Sequence, residues 1–148
     1  MSSTDPVITA LEDQVTCYRR LAKLAEIQHE HVQNSATDQL LDVLSRRQEV
    51  LDQVADLEQI ISPAKRQWSD YLGKLAADER SSAENLLAET RRLLETITTA
   101  DRNDTMVLQA RKLSLGRQIN QATAARSLNR NYAAAAYGKR PARMDLTS

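Results

Sequence analysis

Between Ser81 and Gly138 the chain runs for 58 residues with no Pro, and with Gly116 as the only Gly before the last position. Pro and Gly are the residues that most strongly interrupt helices, so a stretch this free of them predicts one long helix. It opens on Ser81-Ser82-Ala83-Glu84, a Ser three residues ahead of a Glu. In that arrangement hydroxyl and carboxylate satisfy the free N–H groups of a first turn. Tyr137-Gly138, with Pro141 shortly after, reads as its stop. A continuous helix of this length would measure roughly 85 Å, whereas a globular domain of this size is roughly 30 to 40 Å across. The helix is therefore expected to fold back or to project beyond what it packs against, and the projecting part is where function is expected.

The rest of the chain is helical in character too. Of 148 residues 41% are hydrophobic and 27% charged, with only three Gly and three Pro, and the apolar share is mostly Leu, Ala, Val and Ile. Such a composition fits one modest all-α core. Asp5-Pro6 predicts a helix start, with Asp as cap and Pro at the first helical position. Ile8, Leu11, Val15, Tyr18, Ala22 and Ala25 then recur at spacings of three and four, which gives an amphipathic first helix over about 6–33. A second helix is expected over 37–61, with a continuation to 72 left open. Its stripe is read as Leu40, Leu44, Arg47, Leu51, Val54 and Ile61, flanked by Leu41, Val50, Leu57 and Ile60. The short link between the two helices favours an antiparallel hairpin. Ser62-Pro63 either kinks the second helix or caps a new segment, and the stretch from Pro63 to Arg80 carries the least pattern.

A third helix is expected over 81–137. Leu86, Leu87, Thr90, Leu93, Leu94 and Ile97 give its first half a broad apolar face that closes a three-helix bundle with the hairpin. A polar patch, Asp101-Arg102-Asn103-Asp104-Thr105, follows, and polar residues in such a seam are expected to loosen or re-register the packing. Beyond it Leu108, Leu115, Ile119 and Leu128 resume a thinner face, punctuated by Arg111, Arg126 and Arg130. The expected fold is an elongated antiparallel three-helix bundle, a coiled-coil hairpin with a long C-terminal helix. It forms a single domain over 1–138, with a flexible tail over 139–148.

Charge separates along this layout. Residues 1–100 carry 11 Lys and Arg against 17 Asp and Glu, a balance of −6, and residues 101–148 carry 9 against 3, a balance of +6. The C-terminal third is either a solvated surface or a docking surface for an acidic partner.

Catalysis has little to draw on. Glu26-Ile27-Gln28-His29 has the Glu-x-x-His spacing of di-iron bundles, but such a site needs a second copy and two further Glu, and the only other His is His31. Both His are read as exposed residues at a fraying helix end. Cys17 lies on the same helix as His29 and His31, about 18 Å from the former along the axis, so no Cys–His nucleophile forms within the chain. Cys17 reads as a small apolar or flanking residue. The three Gly are isolated, so no Gly-rich loop cradles phosphate. No enzyme activity, no metal and no cofactor is expected. A neutral chain without a nucleic-acid motif predicts no specific nucleic-acid readout. No run of 18 apolar residues and no secretory leader is present, which predicts a cytoplasmic protein without membrane insertion.

The ordered set of features resembles the FlgN family, cytosolic export chaperones for the flagellar hook–filament junction proteins. The features are the N-terminal hairpin, the Leu-rich second helix from Leu40 to Ile61, the polar patch Asp101-Arg102-Asn103-Asp104, the turns Val107-Leu108-Gln109 and Arg117-Gln118-Ile119-Asn120, and the closing pair Tyr137-Gly138. Asn103-Asp104 stands where an Asn-Gly is sometimes found, and the Pro63–Trp68 segment has no match. The resemblance implies a type III export chaperone that binds the C-terminal helical segments of junction proteins and delivers them to the cytoplasmic domain of the export gate. It implies substrate contacts at Leu108, Leu115, Ile119 and Leu128, and gate docking at Tyr137. The alternatives from the residues alone are a structural coiled-coil or self-assembling adaptor, a homodimer included, and more remotely a four-helix metalloprotein.

Overall fold

The computed structural model of the chain describes residues 5–136, and the side chains of these except at 129 and 131–136. It is all-α: α1 spans Pro6–Gln33, α2 Thr37–Arg66, the short α3 Trp68–Gly73, and α4 Ala77–Ala136. The described residues fall into two units that divide between Thr105 and Met106, within α4.

In the first unit α1, α2 and the opening part of α4 pack up-down-up. The start of α1 is built as its sequence predicts. Asp5 is the N-cap, Pro6 occupies the first helical position, and the Asp5 carboxylate accepts hydrogen bonds from the N–H groups of Val7 and Ile8 at 2.8 and 3.2 Å. The same oxygen also accepts from the Tyr71 hydroxyl of α3 at 3.0 Å. Burial, and then the hydrogen bond to Asp5 and its charge, pushes the Tyr71 phenol well above its ordinary range. Asp5→Ala is expected to cost about 1–2 kcal/mol, the value of a good N-cap, read as a lower urea midpoint with an unchanged slope.

The α1–α2 link is closed by a helix end in which Ser35 takes a left-handed conformation, φ 54°. The N–H of Ala36 donates to the carbonyl of His31 at 2.9 Å, and that of Ser35 to the carbonyl of Val32 at 3.3 Å. These two bonds satisfy carbonyls that a helix end otherwise leaves open, and they turn the chain back within three residues.

α1 lies at the centre of the unit. Ile8, Leu11, Val15, Tyr18 and Ala25 are buried on its expected stripe and Ala22 is partly buried there, while Ala10, Gln14, Cys17, Leu21, Gln28 and Val32 are buried outside it. That width lets α1 face α2 and α4 at once. The core has two parts. One gathers Val15, Cys17, Tyr18, Leu21, Val50, Leu93 and Ile97. The other gathers Ile8, Leu11, Ile61 and Ala83 with Trp68, Tyr71, Leu72 and Leu75, so α3 covers one end of the bundle. Trp68 and Tyr71 stack tilted, with ring centroids 5.4 Å apart. α2 passes through Pro63 and ends one turn later at Arg66.

Two expectations are corrected. First, the buried residues of α2 are Val43, Val50 and Ile61, whereas Leu41, Leu44, Leu51 and Ile60 are 60, 44, 40 and 48% exposed. The inward seam is Val43, Arg47, Val50, Val54, Leu57 and Ile61, at alternating spacings of four and three. The Leu-rich line at 40, 44 and 51 lies to one side of it. Second, α4 begins at Ala77 rather than at Ser81, so the Ser81–Glu84 pair sits inside the helix with Ser81 exposed. Arg80 explains the earlier start. Its guanidinium donates to the carbonyls of Leu72 and Leu75 at 3.1 and 3.3 Å, which ties the end of α3 to the first turn of α4.

The second unit, from Met106, contains the remaining turns of α4. No helix among the described residues is long and apolar enough to cross a membrane.

Candidate functional site

Two features stand out, one in each unit. In the first unit five polar side chains from three helices interlock where an apolar layer would ordinarily sit. The Arg47 guanidinium on α2 grips Asp101 of α4 with two prongs, at 2.6 and 2.7 Å, and its Nη1 also donates to Gln28 Oε1 on α1 at 2.6 Å. Gln28 Nε2 donates to Asp104 Oδ2 at 3.1 Å, and Asp104 Oδ1 lies 2.8 Å from His29 Nδ1. The Arg47 and Asp104 side chains are 13% and 2% exposed. The hydrogen bond to Asp101 is the main cause that holds the Arg47 guanidinium above its already high range, against the opposing effect of burial.

Each position follows from local sequence. Arg47 falls on the seam of α2, and Asp104 continues the α4 series Ala83, Leu86, Thr90, Leu93, Ile97 and Ala100. The polar patch therefore does not loosen the packing of the first unit: its two Asp are the points at which α4 is tied to α1 and α2. His29 is exposed, as expected, but its Nδ1 is held against the buried Asp104 carboxylate. The arrangement has the character of a register device, because only one alignment of the three helices satisfies all five groups. Among the described residues no group of His, Cys, Asp and Glu is assembled to hold a metal ion. Cys17 is buried, its Sγ 3.7 Å from Gln53 Oε1, and burial pushes its thiol up, away from nucleophilic character.

The second feature is the surface of α4 beyond Met106. Leu108, Leu115, Ile119 and Leu128 are 42, 58, 57 and 53% exposed. The spacings of seven and four set Leu108, Leu115 and Ile119 in one line on one face of the helix, about 16 Å long. Leu128, nine residues past Ile119, falls on the opposite side, the side of Met106 and Leu113, which are also exposed. The structure thus brings three of the four expected substrate residues together and separates Leu128 from them. Tyr137 lies outside the described residues. Met106 and Leu113 escaped the sequence reading, because they share the period of the first line half a turn away.

Basic side chains border the Leu108–Ile119 line. Arg111 and Lys112 lie on either edge between Leu108 and Leu115, and Arg126 continues the line one heptad past Ile119. Gly116 leaves a notch beside it, lined by Lys112, Leu113 and Asn120, with nothing within 4 Å of where a Cβ would sit. An exposed apolar line on a helix, edged by charge, is the kind of surface on which another helix can dock. Comparison of the chain with protein-family models, with curated proteins and with solved structures finds no match.

Proposed function

We propose that this chain is a FlgN-like chaperone of flagellar type III export, a cytoplasmic binding protein without enzymatic chemistry. In this reading it holds the C-terminal helical segments of hook–filament junction proteins and delivers them to the cytoplasmic domain of the export gate, with Tyr137 at the gate contact. The observation that carries it is the exposed line Leu108, Leu115 and Ile119 on α4. A chaperone of this kind acts by covering the apolar face of a helical segment that would otherwise self-associate. A helix that presents its own apolar line among polar neighbours supplies the complementary surface.

The test is Leu115→Asp combined with Ile119→Asp. Both residues are more than half exposed, so the pair is expected to cost the fold little, while two carboxylates in a closing apolar interface are strongly unfavourable. Binding to a purified junction-protein C-terminal segment, followed by calorimetry, is expected to weaken by about 100-fold or more, with the far-ultraviolet circular dichroism unchanged. A double variant that unfolds would show these residues to be structural, and undiminished binding would remove them from the docking surface.

A further inference from the structure

We infer that the occupant of the Leu108–Ile119 face is an amphipathic helix whose apolar stripe is flanked by carboxylates. This rests on the preceding reading of the face as a docking surface and adds the chemistry of what docks there. The apolar line alone does not select a partner, since any Leu-rich helix would fit it. Charge does. Residues 106–136 carry Arg111, Lys112, Arg117, Arg126 and Arg130 and no Asp or Glu at all. Lys112 and Arg126, both exposed, lie beside and beyond the apolar line at Leu108, Leu115 and Ile119.

A helix laid along this line brings its own flanking positions within a few ångströms of those cations. Glu or Asp there is attracted. Lys or Arg there is repelled, and the repulsion grows as the apolar contact excludes water. A second copy of this face is disfavoured as the occupant in the same way, because the cations along its line, Arg111, Lys112, Arg126 and Arg130, would meet their own counterparts. The spacing argues for a helix rather than a strand or a nucleic acid: residues seven and four apart match the anchors of helix-to-helix docking, and a purely ionic ligand would make no use of three exposed aliphatic side chains.

The experiment uses the full chain and three synthetic 21-residue helical peptides of equal helix propensity. One carries a Leu seam with Glu flanks, the second the same seam with Lys flanks, the third a Ser seam with Glu flanks. Fluorescence anisotropy is expected to show the first binding at least about tenfold tighter than either other, and weakening by about tenfold as salt rises from about 0.05 to 0.5 M. Lys112→Glu with Arg126→Glu is expected to invert the preference between the first two peptides. Equal binding of the Glu- and Lys-flanked peptides would overturn the charge inference and leave the docking face standing. Equal binding of the Leu- and Ser-seam peptides would reduce the interaction to ionic adsorption and overturn it too. Failure of all three peptides to bind the folded chain would overturn the docking reading and the inference together.

Discussion

Replacing Arg47 by Ala is expected to destabilise the first unit by about 3 kcal/mol, at the lower end of what breaking a buried ion pair costs. The Arg47 side chain is 13% exposed and makes three hydrogen bonds, two to Asp101 and one to Gln28. Its removal leaves Gln28 Oε1 without that donor and withdraws a favourable positive charge from Asp104, whose side chain is 2% exposed. Asp101, 36% exposed, rehydrates in part, which keeps the cost from reaching the upper end. Arg47→Lys is expected to recover only part of the loss, since an ammonium cannot grip a carboxylate with two parallel N–H groups while also reaching Gln28. Urea denaturation followed by circular dichroism measures all three proteins. A change below 1 kcal/mol for Arg47→Ala would show the cluster to be solvated in solution. Replacing Arg47, Asp101 and Asp104 together by Leu is expected to restore stability but to lose the single register. Its readout is the oligomeric state, for which sedimentation should show more than one species.

Ile61→Ala is expected to cost about 3 kcal/mol, and Leu51→Ala, on the same helix, less than about 1. The contrast follows from exposure: Ile61 is 0% and Leu51 40% exposed. Ile61 sits in the cluster closed by Leu11, Ala83 and the α3 residues Trp68, Tyr71 and Leu72. The cavity left by its truncation is bounded by three helices, which can collapse onto it only partly. Leu51 borders solvent, so its truncation removes little burial. Equal costs for the two would mean that α2 presents its Leu-rich side inward after all, with every seam contact shifted around the helix.

The three long helices, the Asp5-Pro6 start, the tight link after Gln33 and the buried stripe of α1 were all legible beforehand. Each is decided within a few residues, by a cap, a helix stop, or a three-and-four period with a single apolar phase. The exposed line Leu108, Leu115 and Ile119 was legible for the same reason. Leu128 was misplaced only because its distance from Ile119 is nine residues, half a turn out of phase.

The phase of α2 was not decidable in this way. Its leucines at 40, 41, 44, 51 and 57 and its valines at 43, 50 and 54 cover more than one face, and apolar content ranks two phases nearly alike. The choice between them is made by a partner 54 residues away: with Val43 and Val50 inward, Arg47 reaches Asp101. Likewise Ser81-Glu84 forms an adequate local start signal, yet α4 begins at Ala77 because Arg80 and the carbonyls of Leu72 in α3 and Leu75 just after it meet only once the bundle is closed. The sequence by itself therefore determined the helices and the faces that caps and period define. The tertiary structure decided which α2 face turns inward and how the polar residues of three helices pair, since a buried charge has one low-energy position, beside its counter-charge, and that position is set by chains distant in sequence.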